Sequence, residues 1–363
     1  LPLSCTPCDS QGTEFFVLNT LSVSPPLAVG QSPVVPLPLL LIGHGSRDPE
    51  GRQAFLELAQ VYQSLTPHRP VIPCFLELTE PSIAQGIQQC IAQGWQEIVV
   101  LPLLLFGARH NKFDVTMELD RLQALYPQLR IHYGGPLGIR IEILQLLRDR
   151  LAALMAAQPQ RIPEAETVLL FVGRGSSDPE ANAEACKLAR LLWEGSGFAA
   201  VETCFIGITH PRLPVGLERA SSWQPRRVIV LPYFLFTGVL VKKIEAAVEK
   251  QRQRQPEIDW LMLPELGLVD TVLHSLQQLE QEALQGQTQM NCHLCKFRLA
   301  VSAEVRAGHT YHHPHEHHHH HHGHGSHHHP HSHHHPQHGH THAAAGDPWA
   351  QLEGYHQRAW QVP

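Results

Sequence analysis

Two histidines and two glutamates in the first half of the sequence stand where a metal ion or a proton could be handled. His44 lies in a Gly-His-Gly-Ser turn that follows an apolar run. Glu77 and Glu80 follow a second apolar run, and His110 lies beyond a third. Imidazole and carboxylate groups bind divalent first-row metals, and imidazole also accepts protons near neutral pH. These residue types predict a metal site, a proton-transfer site, or both.

An internal repeat distinguishes these residues from the positions that maintain the fold. The stretch Leu-Leu-Leu-Ile-Gly-His-Gly-Ser-Arg-Asp-Pro at 39–49 returns, 130 residues later, as Leu-Leu-Phe-Val-Gly-Arg-Gly-Ser-Ser-Asp-Pro at 169–179. At the same offset Arg174 replaces His44, Gly207 replaces Glu77, His210 replaces Glu80 and Leu240 replaces His110. A lone titratable side chain is often an ordinary loop residue. Because glycines, prolines and apolar positions survive the duplication while the ionisable set does not, we expect the first half to hold the reaction.

The elements that position these residues alternate between strand and helix. The pattern predicts strands over 39–42, 71–76, 98–105 and 130–133, and helices over 49–65, 81–93, 113–126 and 139–154. Short apolar runs with helices between them are typical of a parallel sheet covered on both faces. A strand order of 2-1-3-4 would make the loops of His44, Glu77 and His110 neighbours at the carboxyl edge, where α/β sheets bind ligands.

The predicted fold class is therefore α/β, with two tandem-duplicated, doubly wound parallel-sheet domains and a cleft between them. We expect the domains over 37–157, the catalytic one, and 166–285, joined by a linker over 158–165. A flexible extension precedes them over 1–36. After them come a CxxC segment over 286–300, a His-rich disordered tail over 301–346 and a C-terminal tail over 347–363.

Cationic residues of both halves could line the cleft. These residues are Arg47, Arg109 and Lys112 in the first half, and Arg174 and Lys242 in the second. Lysine and arginine are usually solvated surface residues. Around a cleft they would instead bind a ligand that carries carboxylates, so we predict them as substrate-binding residues.

Composition limits the classes of function. The formal net charge is -6, which does not favour nucleic acid as a partner. No apolar run of membrane-spanning length occurs, and the first residues do not have the pattern of a signal peptide. Eight cysteines scattered over 363 residues fit reduced thiols in the cytoplasm better than a secreted disulfide framework. We expect a cytoplasmic protein without membrane contact.

Two further segments could bind metal. Cys5 and Cys8 form an isolated CxxC pair, and a second pair, Cys292 and Cys295, follows Met290. Of the 29 histidines, 21 lie within 309–342, including six in a row at 317–322. A purification tag does not explain histidines outside that block. We expect the tail to buffer metal without taking part in catalysis.

The three motifs together resemble the CbiX-type sirohydrochlorin chelatases over residues 39–284. They are Gly-His-Gly-Ser-Arg-Asp-Pro around His44, Phe-Leu-Glu-Leu-Thr-Glu-Pro around Glu77 and Glu80, and Leu-Leu-Leu-Phe-Gly-Ala-Arg-His ending at His110. The resemblance implies a chelatase-superfamily fold and ATP-independent insertion of Co2+ or Fe2+ into sirohydrochlorin. That reaction serves cobalamin or sirohaem biosynthesis. It also implies that His44 and His110 are the metal-binding catalytic pair. From the residue types and their placement we expect Glu77 or Glu80 to assist them.

The C-terminal region resembles the long cobaltochelatase form, in which the Met-x-Cys-x-x-Cys segment is associated with an iron–sulfur centre. That resemblance implies that Cys292 and Cys295 are cluster ligands. Two thiolates are fewer than a four-iron cluster usually takes. The others would come from Cys5 and Cys8, from non-protein ligands or from a second chain, so a homodimer is one arrangement that the sequence allows.

Three alternatives remain open at this point. Fe2+ could replace Co2+ as the metal, because imidazole and carboxylate bind both ions and metal availability largely decides between them. The His-rich tail favours cobalt slightly. A non-catalytic metal store or metallochaperone would need no cleft. A phosphoesterase that uses His44 would require an aspartate-rich two-metal site, which the sequence lacks.

Overall fold

Each half of the chain builds a four-stranded parallel sheet with helices on both faces. The computed structural model describes residues 36–108 and 110–288, without the side chain of His110. The first half contains β1 (Leu39–Gly43), α1 (Pro49–Leu65), β2 (Val71–Phe75), α2 (Ile83–Ala92), β3 (Glu97–Pro102), α3 (Val115–Leu125), β4 (Arg130–Tyr133) and α4 (Ile141–Ala156). The second half contains β5 (Thr167–Gly173), α5 (Pro179–Trp193), β6 (Ala200–Phe205), α6 (Leu213–Ser222), β7 (Arg227–Pro232), α7 (Val239–Arg254), β8 (Asp259–Met262) and α8 (Asp270–Leu284).

The strand order confirms the predicted topology. The two sheets have the orders β2-β1-β3-β4 and β6-β5-β7-β8, with every neighbouring pair parallel. The largest difference from the predicted bounds is at β3, which ends at Pro102, three residues early, because the N–H of Leu104 turns back to the carbonyl of Pro102 at 2.9 Å. The other predicted bounds lie within two residues of the observed ones. A π-helical turn, His110–Asp114, then precedes α3. None of the helices among the described residues is long and apolar enough to cross a membrane.

The two sheets share one hydrophobic core. Alternate residues of β1 point to opposite faces, and Leu39 and Leu41 pack into the same cluster as Leu169 and Phe171 of β5. The helices α1, α4, α5 and α8 pack into this shared core, together with residues of β2, β3, β6 and β7. Separate clusters cover the outer faces, formed with α2 and α3 on the first sheet and with α6 and α7 on the second.

The last helix of the second half packs on the sheet of the first half. Helix α8 contacts β3 and β4, while α4 contacts α5 and α8. Polar contacts support this arrangement, since Arg140 binds both carboxylate oxygens of Glu282 at 2.9 Å. Arg150 of α4 donates to the carbonyls of Glu265 and Leu266, both at 2.8 Å, in the loop that follows β8. Within the described residues from Leu37 to 288, the two halves therefore form one compact unit.

A lysine of the first half holds the first helix of the second. The ammonium nitrogen of Lys112 lies 2.9 Å from Oδ2 of Asp178 and also binds Glu180. Asp178 is the N-cap of α5, where its carboxylate accepts the N–H of Glu180. Burial by itself would lower the pKa of Lys112, but the hydrogen bonds with Glu180 and Asp178 outweigh it and raise that pKa. The turn that precedes α3 is thus fastened to the opposite half.

The reciprocal contact is made by the copy of this lysine. Nζ of Lys242, in α7, lies 2.9 Å from Oδ2 of Asp48 and 3.0 Å from Oε2 of Glu50. Asp48 is the N-cap of α1. Its hydrogen bond with Lys242 holds the pKa of the Asp48 carboxyl below its usual range, and the N–H groups of Glu50 and Gly51 act in the same direction. Equivalent ion pairs therefore join the halves on both sides of the repeat.

Leu276→Ala tests the packing of α8 on the sheet of the first half. Leu276 of α8 is fully buried in the shared core, and replacing such a leucine with alanine typically lowers the free energy of unfolding by about 2–5 kcal/mol. Because the core is common to both halves, we expect circular dichroism and tryptophan fluorescence to report one urea transition at a lower midpoint. Leu284→Ala is the control, because Leu284 is 41% exposed at the end of the same helix. Equal midpoints for the two variants would contradict this packing.

Lys242→Met tests the ion pair with Asp48 through its pH dependence. A carboxyl whose pKa is lowered by folding stabilises the protein above about pH 4 and loses that contribution as the pH falls further. The parent should therefore exceed Lys242→Met in urea midpoint at about pH 6, and the difference should shrink at about pH 3. The exposed pair of Arg226 and Glu166 supplies the control variant Arg226→Met, since such surface pairs contribute little. A difference that is independent of pH would exclude the Asp48 contact as its cause.

Candidate active site

The turn after β1 brings His44 against the end of β2. Gly45 has a φ of +98°, and a Cβ at this position would lie 1.8 Å from the carbonyl oxygen of Glu77, so only glycine fits. The N–H of Glu77 donates to the carbonyl of His44 at 3.1 Å. Backbone geometry alone therefore places the imidazole and the carboxylate side by side at the carboxyl edge of the first sheet.

The equivalent turn of the second half meets this pair from the opposite side. Nη1 of Arg174 lies 2.9 Å from Nε2 of His44, which in turn lies 3.6 Å from Oε1 of Glu77. The His44 side chain is 18% exposed and that of Glu77 is 45% exposed. One imidazole, one carboxylate and one guanidinium thus converge where the carboxyl edges of the two sheets face each other.

The guanidinium of Arg174 keeps its charge in this setting. Desolvation by the surrounding protein lowers the pKa of Arg174, and the negative charge of Glu77 acts in the opposite direction. An arginine remains cationic at neutral pH even so. The site therefore places a permanent positive charge opposite the two side chains that could bind a metal ion.

The loop after β3 carries His110 to the same edge, because β3 lies next to β1. Asn111 is completely buried, and the hydroxyl of Tyr133 donates to its backbone carbonyl at 3.0 Å. From the second half, the carboxylate of Glu184 accepts the N–H of Gly107. Desolvation raises the pKa of Glu184, and the bond to Gly107 partly offsets that rise. Contacts on both sides of His110 therefore fix the course of its loop.

The structure brings together only part of the predicted metal set. His44 and Glu77 are neighbours, whereas Glu80 is exposed and its carbonyl accepts a 3.4 Å bond from Arg52. Within the part of the chain that the structure describes, no three His, Cys, Asp or Glu side chains form a group that could hold a metal ion. A third protein ligand is therefore not supplied by Glu80 in this arrangement, and the side chain of His110 lies outside the described residues.

The predicted substrate-binding cations divide into three groups. Arg174 lies at the site, and Arg47 is exposed in the turn that carries His44. Lys112 and Lys242 instead have carboxylate partners in the opposite half, a placement that the sequence did not predict. Arg109 lies outside the described residues, together with residues 1–35, Cys292, Cys295 and the His-rich tail.

The sequence interpretation missed the ion pairs that join the halves beside the site. Asp48 and Asp178 cap the helices that follow the two turns and also bind the lysines of the opposite half. A usable signal existed: both aspartates and both lysines recur at the offset of 130 residues. Charges that survive the duplication belong to the scaffold, by the same argument that assigns the lost ones to chemistry.

The arrangement can do two kinds of chemistry. A nitrogen and an oxygen donor 3.6 Å apart can bind one ion together, because such ligand atoms each lie about 2 Å from the metal. The guanidinium opposite them can bind a carboxylate. The site is therefore suited to bring a divalent cation and an organic anion to the same edge.

Known proteins share this sequence pattern and fold. The sequence profile of the CbiX family matches residues 38–154 and 168–283, one match for each half. A sirohydrochlorin cobaltochelatase of Priestia megaterium is 37% identical over 267 residues, which are 74% of this chain and 86% of that protein. A sirohydrochlorin ferrochelatase of the same organism is 34% identical over 241 residues, 66% of this chain and 87% of that protein.

A solved structure agrees with these sequence matches. SirB from Bacillus subtilis with Fe3+ superimposes with a TM-score of 0.59 and 29% identity, covering 69% of this chain and 98% of that one. The fold, the repeat and the sequence profile agree over both halves. The chain therefore belongs to the CbiX family.

Proposed function

We propose that this chain inserts a divalent metal, with Co2+ favoured, into sirohydrochlorin during tetrapyrrole biosynthesis. The observation that carries the proposal is the cluster of His44, Glu77 and Arg174 at the facing carboxyl edges of a CbiX-family chain. It offers metal donors and a carboxylate-binding cation at one point. The similarity to a cobaltochelatase and a ferrochelatase names the two metals to be compared.

Metal insertion needs a proton acceptor as well as a ligand. A tetrapyrrole loses two pyrrole N–H protons as the metal enters, so a base beside the ring accelerates the reaction. We propose that His44 and His110 take the incoming metal and that Glu77 assists. As the metal passes to the ring, one imidazole is released and accepts one pyrrole proton, while the second proton leaves to solvent. Neutral imidazole suits both tasks near pH 7.

Substrate binding is proposed to fall mainly on the arginines. Sirohydrochlorin carries peripheral carboxylates, and the guanidinium of Arg174 offers them a planar, bidentate partner. Arg47 is exposed in the neighbouring turn. Lys112 and Lys242 already have carboxylate partners, so we propose for them a role in joining the halves. Binding of remote carboxylates would also supply the energy that deforms the ring toward its transition state.

The His-rich tail and the Cys292–Cys295 pair are proposed as accessory metal segments. The tail would buffer Co2+, and the cysteines would ligate an iron–sulfur cluster as in the long form that they resemble. Iron and sulfide analysis after anaerobic purification tests whether the cluster is present. We expect both elements in stoichiometric amounts, and a colourless protein without them would exclude it.

An optical assay tests the function directly. Purified protein is mixed with sirohydrochlorin and Co2+, Fe2+ or Ni2+ in turn, and the absorption spectrum of the macrocycle is followed. We expect a spectral change well above the uncatalysed rate, fastest with Co2+. A metal store would bind the ions without accelerating the change, so spectra at the uncatalysed rate with every metal would contradict the chelatase proposal.

Glu77→Gln and Glu80→Gln form a matched pair that decides which carboxylate acts. Glu77 lies 3.6 Å from His44, and Glu80 does not join that group. Loss of a side chain that supports a metal-ligating histidine typically costs about 10–100-fold in metal affinity or activity, and we expect loss of a ligand itself to cost at least as much. We therefore expect Glu77→Gln to lower the rate of Co2+ insertion by at least about tenfold and Glu80→Gln to stay within about twofold.

The control for both variants is their thermal unfolding midpoint, which we expect to match that of the parent because both side chains are exposed. The reverse order of the two insertion rates would assign the metal-site role to Glu80 and contradict the geometry.

A further inference from the structure

The contact between Arg174 and His44 occupies the ring nitrogen that the proposed function needs, and the inference drawn from it rests on that function. Nη1 of Arg174 is a donor without a lone pair to offer, so the 2.9 Å bond requires Nε2 of His44 to accept. The other ring nitrogen, Nδ1, lies 3.4 Å from the carbonyl of Gly45. Oε1 of Glu77, 3.6 Å from Nε2, is beyond hydrogen-bond distance, so the arginine contact favours the neutral tautomer with its proton on Nδ1 and its lone pair on Nε2.

This tautomer is the one that binds a metal through Nε2, yet the same lone pair is already engaged. A metal ion would lie about 2 Å from Nε2 along the direction of that lone pair. Arg174 stands on the same side, 2.9 Å away, so guanidinium and metal ion cannot both be present there. Their positive charges also repel at close range. Arg174 both prepares His44 for the metal and excludes the metal from it.

The backbone of Arg174 is held in place, so the guanidinium can leave His44 only by a movement of the side chain. Its turn is fixed by the N–H of Ser176, which donates to the side-chain oxygens of Asn182 and Thr209 at 2.9 Å each. The carbonyl of Arg174 accepts the N–H of Gly207 at 2.7 Å. The residue itself is exposed, so a carboxylate entering between the sheet edges can reach the guanidinium. An Arg–carboxylate pair with two parallel hydrogen bonds is stronger than one bond to a neutral imidazole.

We propose that Arg174 is a positioning residue that sets the tautomer of His44 and keeps metal off Nε2 until a substrate carboxylate draws the guanidinium away. Sirohydrochlorin then binds before the metal, and its arrival uncovers Nε2 of His44 beside the carboxylate of Glu77. The tetrapyrrole is present before the ion is held, so the metal is delivered to a ring already in place. The second half of the repeat thereby couples the binding of the two substrates.

A site-specific measurement of Co2+ binding tests this in the full-length chain despite its His-rich tail. Within residues 1–47, Arg47 is the first site at which trypsin cuts, and His44 is the first histidine. The tryptic peptide that ends at Arg47 therefore contains His44 as its single histidine. Diethyl pyrocarbonate modifies unprotonated imidazole, and mass spectrometry of this peptide follows His44 alone. The free Co2+ concentration that halves the rate of modification reports metal affinity at His44.

We expect Arg174→Met to bind Co2+ at His44 more tightly than the parent by at least about tenfold, the scale on which partners of a ligating histidine act. Arg174→Gln must give the same direction of change, and Arg226→Met, at an exposed ion pair elsewhere, must match the parent. Circular dichroism checks that each variant is folded. An affinity within about twofold of the parent in both Arg174 variants, or a weaker one, would overturn the proposal.

Steady-state kinetics supply a second readout that a purely structural role would not move. Arg174→Met should raise the KM for sirohydrochlorin and lower the KM for Co2+, because substrate binding is lost while the metal ligand is uncovered. If both KM values rise, Arg174 binds substrate without controlling the metal. The Co2+ protection experiment needs no turnover. Failure of the chelatase proposal therefore appears as absent insertion, whereas failure of this inference appears as unchanged protection in an active enzyme.

Discussion

The 2.9 Å contact between Arg174 and His44 is the interaction through which the two halves of the chain become one site. The repeat supplies two almost identical turns. The two sheets pack on one shared core, and their turns meet at the carboxyl edges. Neither turn has the required set of groups alone. The first offers an imidazole and, through a backbone bond, the neighbouring carboxylate of Glu77. The second offers the cation. The asymmetry of the pair is what gives a duplicated scaffold a function.

Contacts within each half fix the two turns, and contacts between the halves hold the turns against each other. Helix α8 packs on the first sheet. Lys112 and Lys242 each form an ion pair with the N-cap aspartate of a helix in the opposite half. Glu184 reaches from α5 to the loop that carries His110. A change of orientation between the halves by even an ångström would break hydrogen bonds of this length. The second half therefore holds His44 and Glu77 in position relative to Arg174.

Local physics made much of the fold predictable from the sequence. Helix α1 was predicted at both of its ends, because Asp48 and Pro49 mark its start and its apolar residues recur with helical spacing. The strand order placed His44 next to Glu77, as the structure has it. The packing of α8 on the first sheet could not be predicted, because an apolar stripe does not tell which sheet it covers. A sequence repeat likewise does not tell how its two halves are oriented relative to each other. The contact of Arg174 with His44 and the ion pairs of Lys112 and Lys242 were therefore not predicted.

The variant His44→Arg tests the central claim most directly, because it converts the turn of the first half into a copy of the second, Gly-Arg-Gly-Ser. The account predicts a folded protein, since the same turn already holds an arginine at Arg174. It also predicts that the rate of Co2+ insertion into sirohydrochlorin falls by at least about 100-fold, the lower range for loss of a proton-transfer group. A folded His44→Arg variant that inserts Co2+ within about twofold of the parent rate would contradict it and place the chemistry elsewhere.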